Sequence, residues 1–222
     1  MYYIAAKTAI YTPMADYQEH SFSSERASPF WQYVQGTMIS LLNKDKNRCI
    51  LDLGCGNGYL VNFLISHGYN AFGIDASQTG IAIANKVNPG RFFIQDLDDN
   101  QLPAEIRDLP FDTIVSTEVI EHIYNPFTFM ALCKDVLSKN GGGEIILTTP
   151  YHGYLKNLVL SIFDKWDKHT NAVAVGGHIK FWSRASLGKL LTQTGFTVTH
   201  FVGCGRMPYM WKSMLMKAKL SS

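Results

Sequence analysis

The chain has 222 residues, with 46% hydrophobic and 17% charged residues and a formal net charge of +2 at pH 7. This composition excludes a disordered chain. The nearly balanced charge argues against a polyanion-binding protein, so nucleic acid is not an expected partner. We expect a single domain over residues 1–222, long enough to bury a sizeable core. No apolar run reaches the length of a bilayer span, and no transmembrane segment is predicted.

The four cysteines show no C-x-x-C pair and no regular framework; they are Cys49, Cys55, Cys133 and Cys204. Irregular spacing of this kind favours reduced thiols over disulfides. The first 13 residues lack the apolar core and the cleavage site of a signal peptide. A cytoplasmic protein is therefore expected.

An N-terminal segment, residues 1–47, precedes the first predicted strand. Apolar side chains recur at helical spacing from Phe30 to Leu42, which predicts a helix there. The strand over Cys49–Leu53 then leads into Gly54, Gly56 and Gly58 and into a helix from Tyr59. A strand, a glycine turn and a helix are typical of a nucleotide-binding crevice, because glycine lets a ligand approach the backbone closely.

The glycine spacing is G-x-G-x-G rather than the dinucleotide fingerprint G-x-G-x-x-G. Asp52, two residues before Gly54, would repel a pyrophosphate and attract a cationic ligand. The stretch resembles motif I of the class I S-adenosylmethionine (SAM) methyltransferases, whose ligand carries a sulfonium and an amine. The resemblance implies that Asp52 and the three glycines bind SAM, and that the N-terminal segment packs over it. For Trp31, an amphipathic helix at the sheet edge is the alternative.

The second strand is predicted over Ala71–Asp75 and places a carboxylate about 20 residues after the glycine turn. A carboxylate at that spacing accepts hydrogen bonds from ribose hydroxyls. Asp75 is therefore the predicted ribose ligand, with Ala76 beside it. The alternative is that Asp75 or Ser77 caps the following helix.

The third strand is predicted over Arg91–Gln95 and is followed directly by Asp96 and Leu97. The family resemblance implies that Asp96 meets the adenine amino group and that Leu97 covers the ring. The alternative is a solvated acidic run that Asp96 shares with Asp98 and Asp99.

Further strands are predicted over Phe111–Ser116, Glu144–Leu147, Phe196–Val202 and Trp211–Leu220. Together with the resemblance, this order predicts an α/β fold with a doubly wound, Rossmann-like sheet of seven strands. The sheet is expected to be mostly parallel with a reversed last strand. A basic amphipathic membrane-surface helix over Met207–Met216 is the alternative for the C-terminal segment.

Residues 151–178, which we call the lid, are a predicted insertion after the fifth strand. Bulky residues recur at helical spacing from Tyr154 to Trp166, and a polar and then small-residue loop follows to Gly177. An insertion at this end of a strand lies over the ligand crevice and is suited to cover a substrate. A surface helix with its apolar face on the core is the alternative, and it is compatible with a role as a lid.

After the fourth strand, Glu118, Glu121 and His122 stand at i, i+3 and i+4, which is one face of a helical turn. Two carboxylates and an imidazole that converge in a crevice favour a bound cation: Mg²⁺, Mn²⁺ or, with the imidazole, Zn²⁺. His178 is the candidate fourth ligand, and His152 is its rival. This E-x-x-E-H pattern with a later His resembles the metal site of small-RNA 3′-terminal 2′-O-methyltransferases; E-x-x-E-H also occurs in ubiquinone-biosynthesis O-methyltransferases.

These resemblances imply methyl transfer from SAM to a hydroxyl of a small-molecule acceptor, assisted by a divalent metal on a vicinal diol or catechol. Thr117 and Glu118 are expected to border the sulfonium, and Glu121 and His122 to act in catalysis. Two alternatives are open. One is a metal-free N- or C-methyltransferase that uses His122 as a base, and the other is a SAM-binding protein without turnover.

Overall fold

The computed structural model describes residues 22–170 and 176–221. Residues 1–21 of the N-terminal segment, lid residues 171–175 and Ser222 lie outside the described residues. The strands are β1 Ile50–Leu53, β2 Ala71–Asp75, β3 Phe92–Ile94, β4 Thr113–Thr117, β5 Glu144–Pro150, β6 Phe196–Cys204 and β7 Ser213–Leu220. The helices are α1 Trp31–Ser40, α2 Tyr59–Ser66, α3 Gln78–Val87, α4 Pro126–Ser138, α5 Tyr154–Ile162, α6 Trp166–Thr170 and α7 Arg184–Gln193, with a 3₁₀ turn at Leu97–Asp99.

The seven strands form one sheet in the order β3-β2-β1-β4-β5-β7-β6. Strands β1 to β5 pair in parallel, and β7 runs antiparallel to both β5 and β6. The predicted doubly wound sheet with a reversed last strand is therefore confirmed. The alternative of a membrane-surface helix over Met207–Met216 is wrong, because its last four residues lie in β7 and no part of it is helical.

Core residues pack on both faces of the sheet, which explains why β1 is apolar without alternation. Leu51 and Leu53 join one buried cluster, and Ile50 joins the other on the opposite face. All four residues of β1 are buried, including Asp52. Within the described residues, no helix is both long and apolar enough to cross a bilayer.

The glycine turn requires glycine at Gly58. Its φ is +75°, and an added Cβ would come within 2.4 Å of Ala84 Cβ and 2.7 Å of Phe92 Cε1. Gly90 has nearly the same backbone, with a φ of +76°, but nothing lies within 4 Å of an added Cβ. Alanine substitutions at these two positions therefore distinguish the cost of backbone strain from the cost of crowding.

We expect Gly58→Ala to lower the free energy of unfolding by about 2–4 kcal/mol, the sum of strain and overpacking. Gly90→Ala should cost only about 1 kcal/mol, since strain acts there alone. Urea unfolding of both variants measures the difference. Equal losses would show that the packing of α3 and β3 on the glycine turn is not tight.

The lid differs from its prediction in two ways. The predicted helix through Trp166 is broken, because Asp164 has a φ of +50° and ends α5; α6 then begins at Trp166. The apolar side chains of α5 are largely exposed, with Tyr154 82% and Ile162 66% accessible, while Lys156 is 3% accessible. The alternative of an apolar helix face packed on the core is therefore wrong for these residues.

Candidate functional site

The sheet has a topological switch point at the carboxyl end of β1, which pairs with β2 on one side and with β4 on the other. Open α/β sheets bind ligands at such a switch point. Asp52, Asp75 and Thr117 lie at or next to the carboxyl ends of β1, β2 and β4. The sheet register thus brings three of the predicted site residues to one edge.

The Asp75 side chain is hydrogen-bonded to the glycine turn. Its two carboxylate oxygens accept hydrogen bonds from the Gly56 and Ser77 amides, both at 2.8 Å. The cap of α3 is Ser77, whose hydroxyl oxygen accepts from the Gly80 amide at 3.1 Å. Asp75 therefore does not cap α3, and its carboxylate is held against the turn, next to Ala76.

Asp52 is a buried carboxylate, and one of its two oxygens lacks a hydrogen bond within the described part of the chain. It is 1% exposed, and among the described residues its Oδ1 has no hydrogen-bond partner. Burial, and then the charge of Asp75, raises the pKa of Asp52 well above its usual value. A cationic group would satisfy both the orphaned oxygen and the charge.

Asp96 and Leu97 lie one strand further along the edge. The Asp96 side chain accepts a hydrogen bond from the Asp98 amide at 2.9 Å and caps the 3₁₀ turn. Asp96 is exposed, whereas Leu97 packs partly against the core. The Gln95 amide donates to the Asp75 carbonyl at 3.0 Å, which sets this turn beside Asp75.

Residues 118–122 form a turn and not the predicted helical face. Glu118 has a φ of +54°, a conformation that is strained for a residue with a Cβ. Its Oε1 accepts from Ser213 Oγ at 2.7 Å and Thr148 Oγ1 at 3.0 Å, towards β7 and β5. Burial raises its pKa.

Three side chains converge: Glu121 and His122, which follow β4, and His178, the last residue of the lid. Their candidate ligand atoms all lie within 4.8 Å of one another, and Glu118 is not among them. The prediction that Glu118 is a metal ligand is therefore wrong for this structure. The left-handed turn directs its carboxylate towards Ser213 and Thr148 instead of towards the histidines. Glu121 Oε1 lies 3.9 Å from Nε2 of both histidines.

The Glu121 carboxylate is buried, and only one of its two oxygens accepts a hydrogen bond from the described residues. Its side chain is 1% exposed, and Oε2 accepts from Thr149 Oγ1 at 2.9 Å. Within the described part of the chain, Oε1 has no hydrogen-bond partner. Burial, and then the charge of Glu118, raises the pKa of Glu121 well above its usual value. A proton or a cation must therefore accompany this carboxylate.

Backbone contacts fix the two histidines. The Ile179 and Lys180 amides donate to the Glu121 carbonyl, both at 3.0 Å, which anchors the end of the lid beside His178. His122 Nδ1 lies 2.7 Å from the Gly176 carbonyl oxygen, which can only accept. Nδ1 therefore carries the proton, and in the neutral ring the lone pair is on Nε2, towards Glu121.

One carboxylate and two imidazoles fit a divalent cation. Burial, and then the neighbouring His122, lowers the pKa of His178, which favours the neutral, ligating form. Such a set of three protein ligands leaves positions open for other oxygens and suits Zn²⁺ or Mn²⁺ better than Mg²⁺, which prefers oxygen ligands.

His152, the rival ligand, lies elsewhere. It is 4% exposed, and its Nδ1 is 3.3 Å from Asn157 Oδ1. Its ring contacts Phe181 and His169 at centroid distances of 4.9 and 5.2 Å and is parallel to Trp166. His152 is thus part of an aromatic cluster that lid residues form with Phe181, and it is not part of the Glu121 group.

Comparisons with known proteins match this architecture. A family model described as a methyltransferase domain matches residues 30–201. The chain is 32% identical over 162 residues to the tRNA U34 carboxymethyltransferase of Vibrio cholerae, covering 71% of this chain and 47% of that protein. It is 26% identical over 183 residues to the ubiquinone biosynthesis O-methyltransferase of Rickettsia canadensis, covering 78% and 72%. The chain thus spans about half the length of the tRNA enzyme, at 47%.

Solved structures show the same fold. Magnesium protoporphyrin IX methyltransferase from Synechocystis with bound SAH has a TM-score of 0.60 and 21% identity over 84% of this chain and 81% of that one. The methyltransferase in complex with the Haloferax volcanii Trm112 activator has a TM-score of 0.67 and 14% identity over 87% and 90%. With the family model matched over residues 30–201, the chain belongs to the class I SAM-dependent methyltransferases.

Proposed function

We propose that the protein transfers a methyl group from SAM to one of two neighbouring hydroxyls of a small molecule, with the help of a divalent cation. One observation carries this proposal: the buried Oε1 of Glu121 has no hydrogen-bond partner among the described residues and lies 3.9 Å from Nε2 of both His122 and His178. A carboxylate and two imidazoles in this arrangement, beside the proposed SAM site, would form a metal centre with open coordination positions.

The cofactor side of the crevice would be formed by the glycine turn and three carboxylates. Gly54, Gly56 and Gly58 would let the backbone approach SAM, because all three have the positive φ angles that glycine adopts without strain and none carries a side chain. Asp52 faces the cationic methionyl end, Asp75 holds the ribose, and Asp96 with Leu97 receives the adenine. When bound, SAM supplies an electrophilic methyl group.

The acceptor side would be formed by the Glu121 group and the lid. A divalent cation held there supplies Lewis acidity, which lowers the pKa of a bound hydroxyl. The chain itself positions the acceptor: Glu121 is fixed by Thr149, and the lid is anchored to the Glu121 carbonyl. Alignment of acceptor oxygen and methyl group contributes much of the rate, since well-oriented groups reach effective molarities of about 10⁵ M or more.

The Rickettsia relative is named for ubiquinone O-methylation and the Vibrio relative for tRNA, so the acceptor class needs a direct test. Methyl transfer would be measured with a catechol, a sugar diol, an aliphatic amine and unmodified tRNA, each with EDTA and with EDTA plus excess Mn²⁺. We expect transfer to a diol only, lost with EDTA and restored by Mn²⁺. Full activity in EDTA, or transfer to the amine or tRNA alone, would refute the proposal.

A metal-free reaction is the second candidate, and the tautomer of His122 favours it. With Nδ1 donating to Gly176, the exposed ring carries its lone pair on Nε2, next to Glu121. In that case His122 would take the acceptor proton directly. Activity that survives EDTA but is lost in His122→Gln identifies this mechanism.

Asp52→Asn should stabilise the cofactor-free protein at neutral pH. The folded-state pKa of Asp52 is raised, so its contribution to stability is full below the unfolded pKa and is lost as pH rises through the folded pKa. We expect the variant to be about 1–3 kcal/mol more stable near pH 7 and equal to the wild type near pH 3. Urea unfolding across this range measures both.

The same variant should weaken SAM binding by about tenfold, the loss of one charged contact. Calorimetry with 5′-methylthioadenosine, which lacks the amino and carboxyl groups, is the matched control. Its affinity should not change. An equal loss for both ligands would place Asp52 away from the methionyl end.

A further inference from the structure

The residues before α1 lie across the glycine turn, and we call residues 22–30 the strap. The Phe22 ring packs on the turn, because a Cβ added to Gly56 would come within 2.8 Å of Phe22 Cζ. The Phe22 amide donates to Thr79 Oγ1, in α3, at 3.1 Å. Gly56 is also the residue whose amide binds the Asp75 carboxylate. The strap therefore lies against the part of the cofactor site that would hold the ribose.

One side chain of the glycine turn holds the strap. Asn57 is 8% exposed, and its Nδ2 donates to the carbonyl oxygens of Ser24 at 2.8 Å and Arg26 at 2.9 Å. A carbonyl oxygen can only accept, so the donor side of the Asn57 amide faces the strap. Its contact with α2 is longer, since the Tyr59 amide lies 3.4 Å from Asn57 Oδ1, and Gly58 is the N-cap of that helix. Asn57 therefore binds the strap more closely than it binds α2.

The strap connects a fixed helix to the Phe22 ring through an exposed stretch. All of residues 23–29 are exposed. On the other side, α1 is fixed by the buried side chains of Trp31, Val34 and Met38. A segment with few buried contacts and an exposed backbone opens locally at low cost. The two hydrogen bonds from Asn57 lie within this stretch, where they oppose such opening.

We propose that the strap is a gate for the cofactor and that Asn57 keeps it closed. Asn57 is then a positioning residue, which acts through the Ser24 and Arg26 carbonyls. In the closed state Phe22 covers Gly56, so SAM enters and SAH leaves only when the strap opens. This inference rests on the cofactor side of the proposed function and depends neither on the metal centre nor on the acceptor.

The test is stopped-flow binding of SAH, because a gate and a merely structural role change the rate constants differently. Loss of the two hydrogen bonds raises the open fraction of the strap in the free and in the SAH-bound protein. Asn57→Ala should therefore raise the association and the dissociation rate constants by about tenfold each and leave Kd within about threefold. Damage to the glycine turn would instead raise the dissociation rate constant alone and weaken Kd.

Phe22→Ala tests the gate from the strap and keeps the test valid even if Asn57→Ala does not fold. It should also raise both rate constants. Asn62→Ala is the matched control, because Asn62 Oδ1 accepts from Asn88 Nδ2 at 2.7 Å and so joins α2 to the end of α3. Its rate constants should equal those of the wild type.

Trypsin cleavage after Arg26, an exposed residue of the strap, gives a second readout. Mass spectrometry follows the loss of this one peptide bond. Cleavage there should be at least about tenfold faster in Asn57→Ala than in Asn62→Ala, because the strap must open to enter the protease.

Wild-type rate constants for SAH in both Asn57→Ala and Phe22→Ala would overturn the inference, and so would a rise in dissociation alone. Either result would leave methyl transfer to diols standing. A wild-type protein that does not bind SAH would overturn this inference together with the cofactor side of the proposed function.

Discussion

Glu121→Gln is expected to lower kcat on a diol acceptor by about 10³-fold, equivalent to about 4 kcal/mol of lost transition-state stabilisation. Glutamine keeps the size of the side chain and the hydrogen bond from Thr149, but it removes the charge that the cation requires. Affinity for SAH should stay within about twofold, since Glu121 lies on the acceptor side. Steady-state kinetics in Mn²⁺ and calorimetry with SAH measure the two effects.

Glu118→Gln is the matched control for metal binding. The structure turns Glu118 towards Ser213 and Thr148, away from the histidines. This variant should bind Mn²⁺ as the wild type does, whereas Glu121→Gln should not. If both variants lose Mn²⁺ equally, Glu118 is a ligand after all and the turn rearranges around the ion.

His178→Gln should weaken Mn²⁺ binding by at least about a hundredfold, because it removes one of the three proposed ligands among the described residues. His152→Gln should leave it within about twofold, since His152 belongs to the aromatic cluster of the lid. Equilibrium dialysis with Mn²⁺ compares the two. The reverse order of effects would make His152 the ligand and the Glu121 group a structural contact.

Much of the cofactor side could be predicted from the sequence because its signals are local. A strand buried on both faces has a continuous apolar run, which predicts β1. A turn with positive φ needs glycine, which predicts the glycine turn. The edge of the sheet that carries the site is also predictable, because the carboxyl ends of parallel strands meet at the same edge. The choice between Asp75 and Ser77 as helix cap was not readable, because it depends on which oxygen meets the Gly80 amide.

The acceptor side could be predicted less well because it depends on contacts between distant residues. Spacing alone placed Glu118, Glu121 and His122 on one helical face, but the left-handed φ of Glu118 breaks that face. The selection of His178 over His152 depends on two amides that reach the Glu121 carbonyl. The burial of Lys156 reverses the amphipathic pattern of α5, so periodicity gave no indication of it.

The most direct test of the account is a crystal of the protein with SAH and MnCl₂, with diffraction data collected at the manganese absorption edge. We expect one strong anomalous peak in contact with Glu121 Oε1 and with Nε2 of His122 and His178. The carboxylate of Glu118 should still face Ser213. A crystal with SAH bound but no peak among these three side chains, at saturating Mn²⁺, would contradict the metal centre on which the proposed reaction depends.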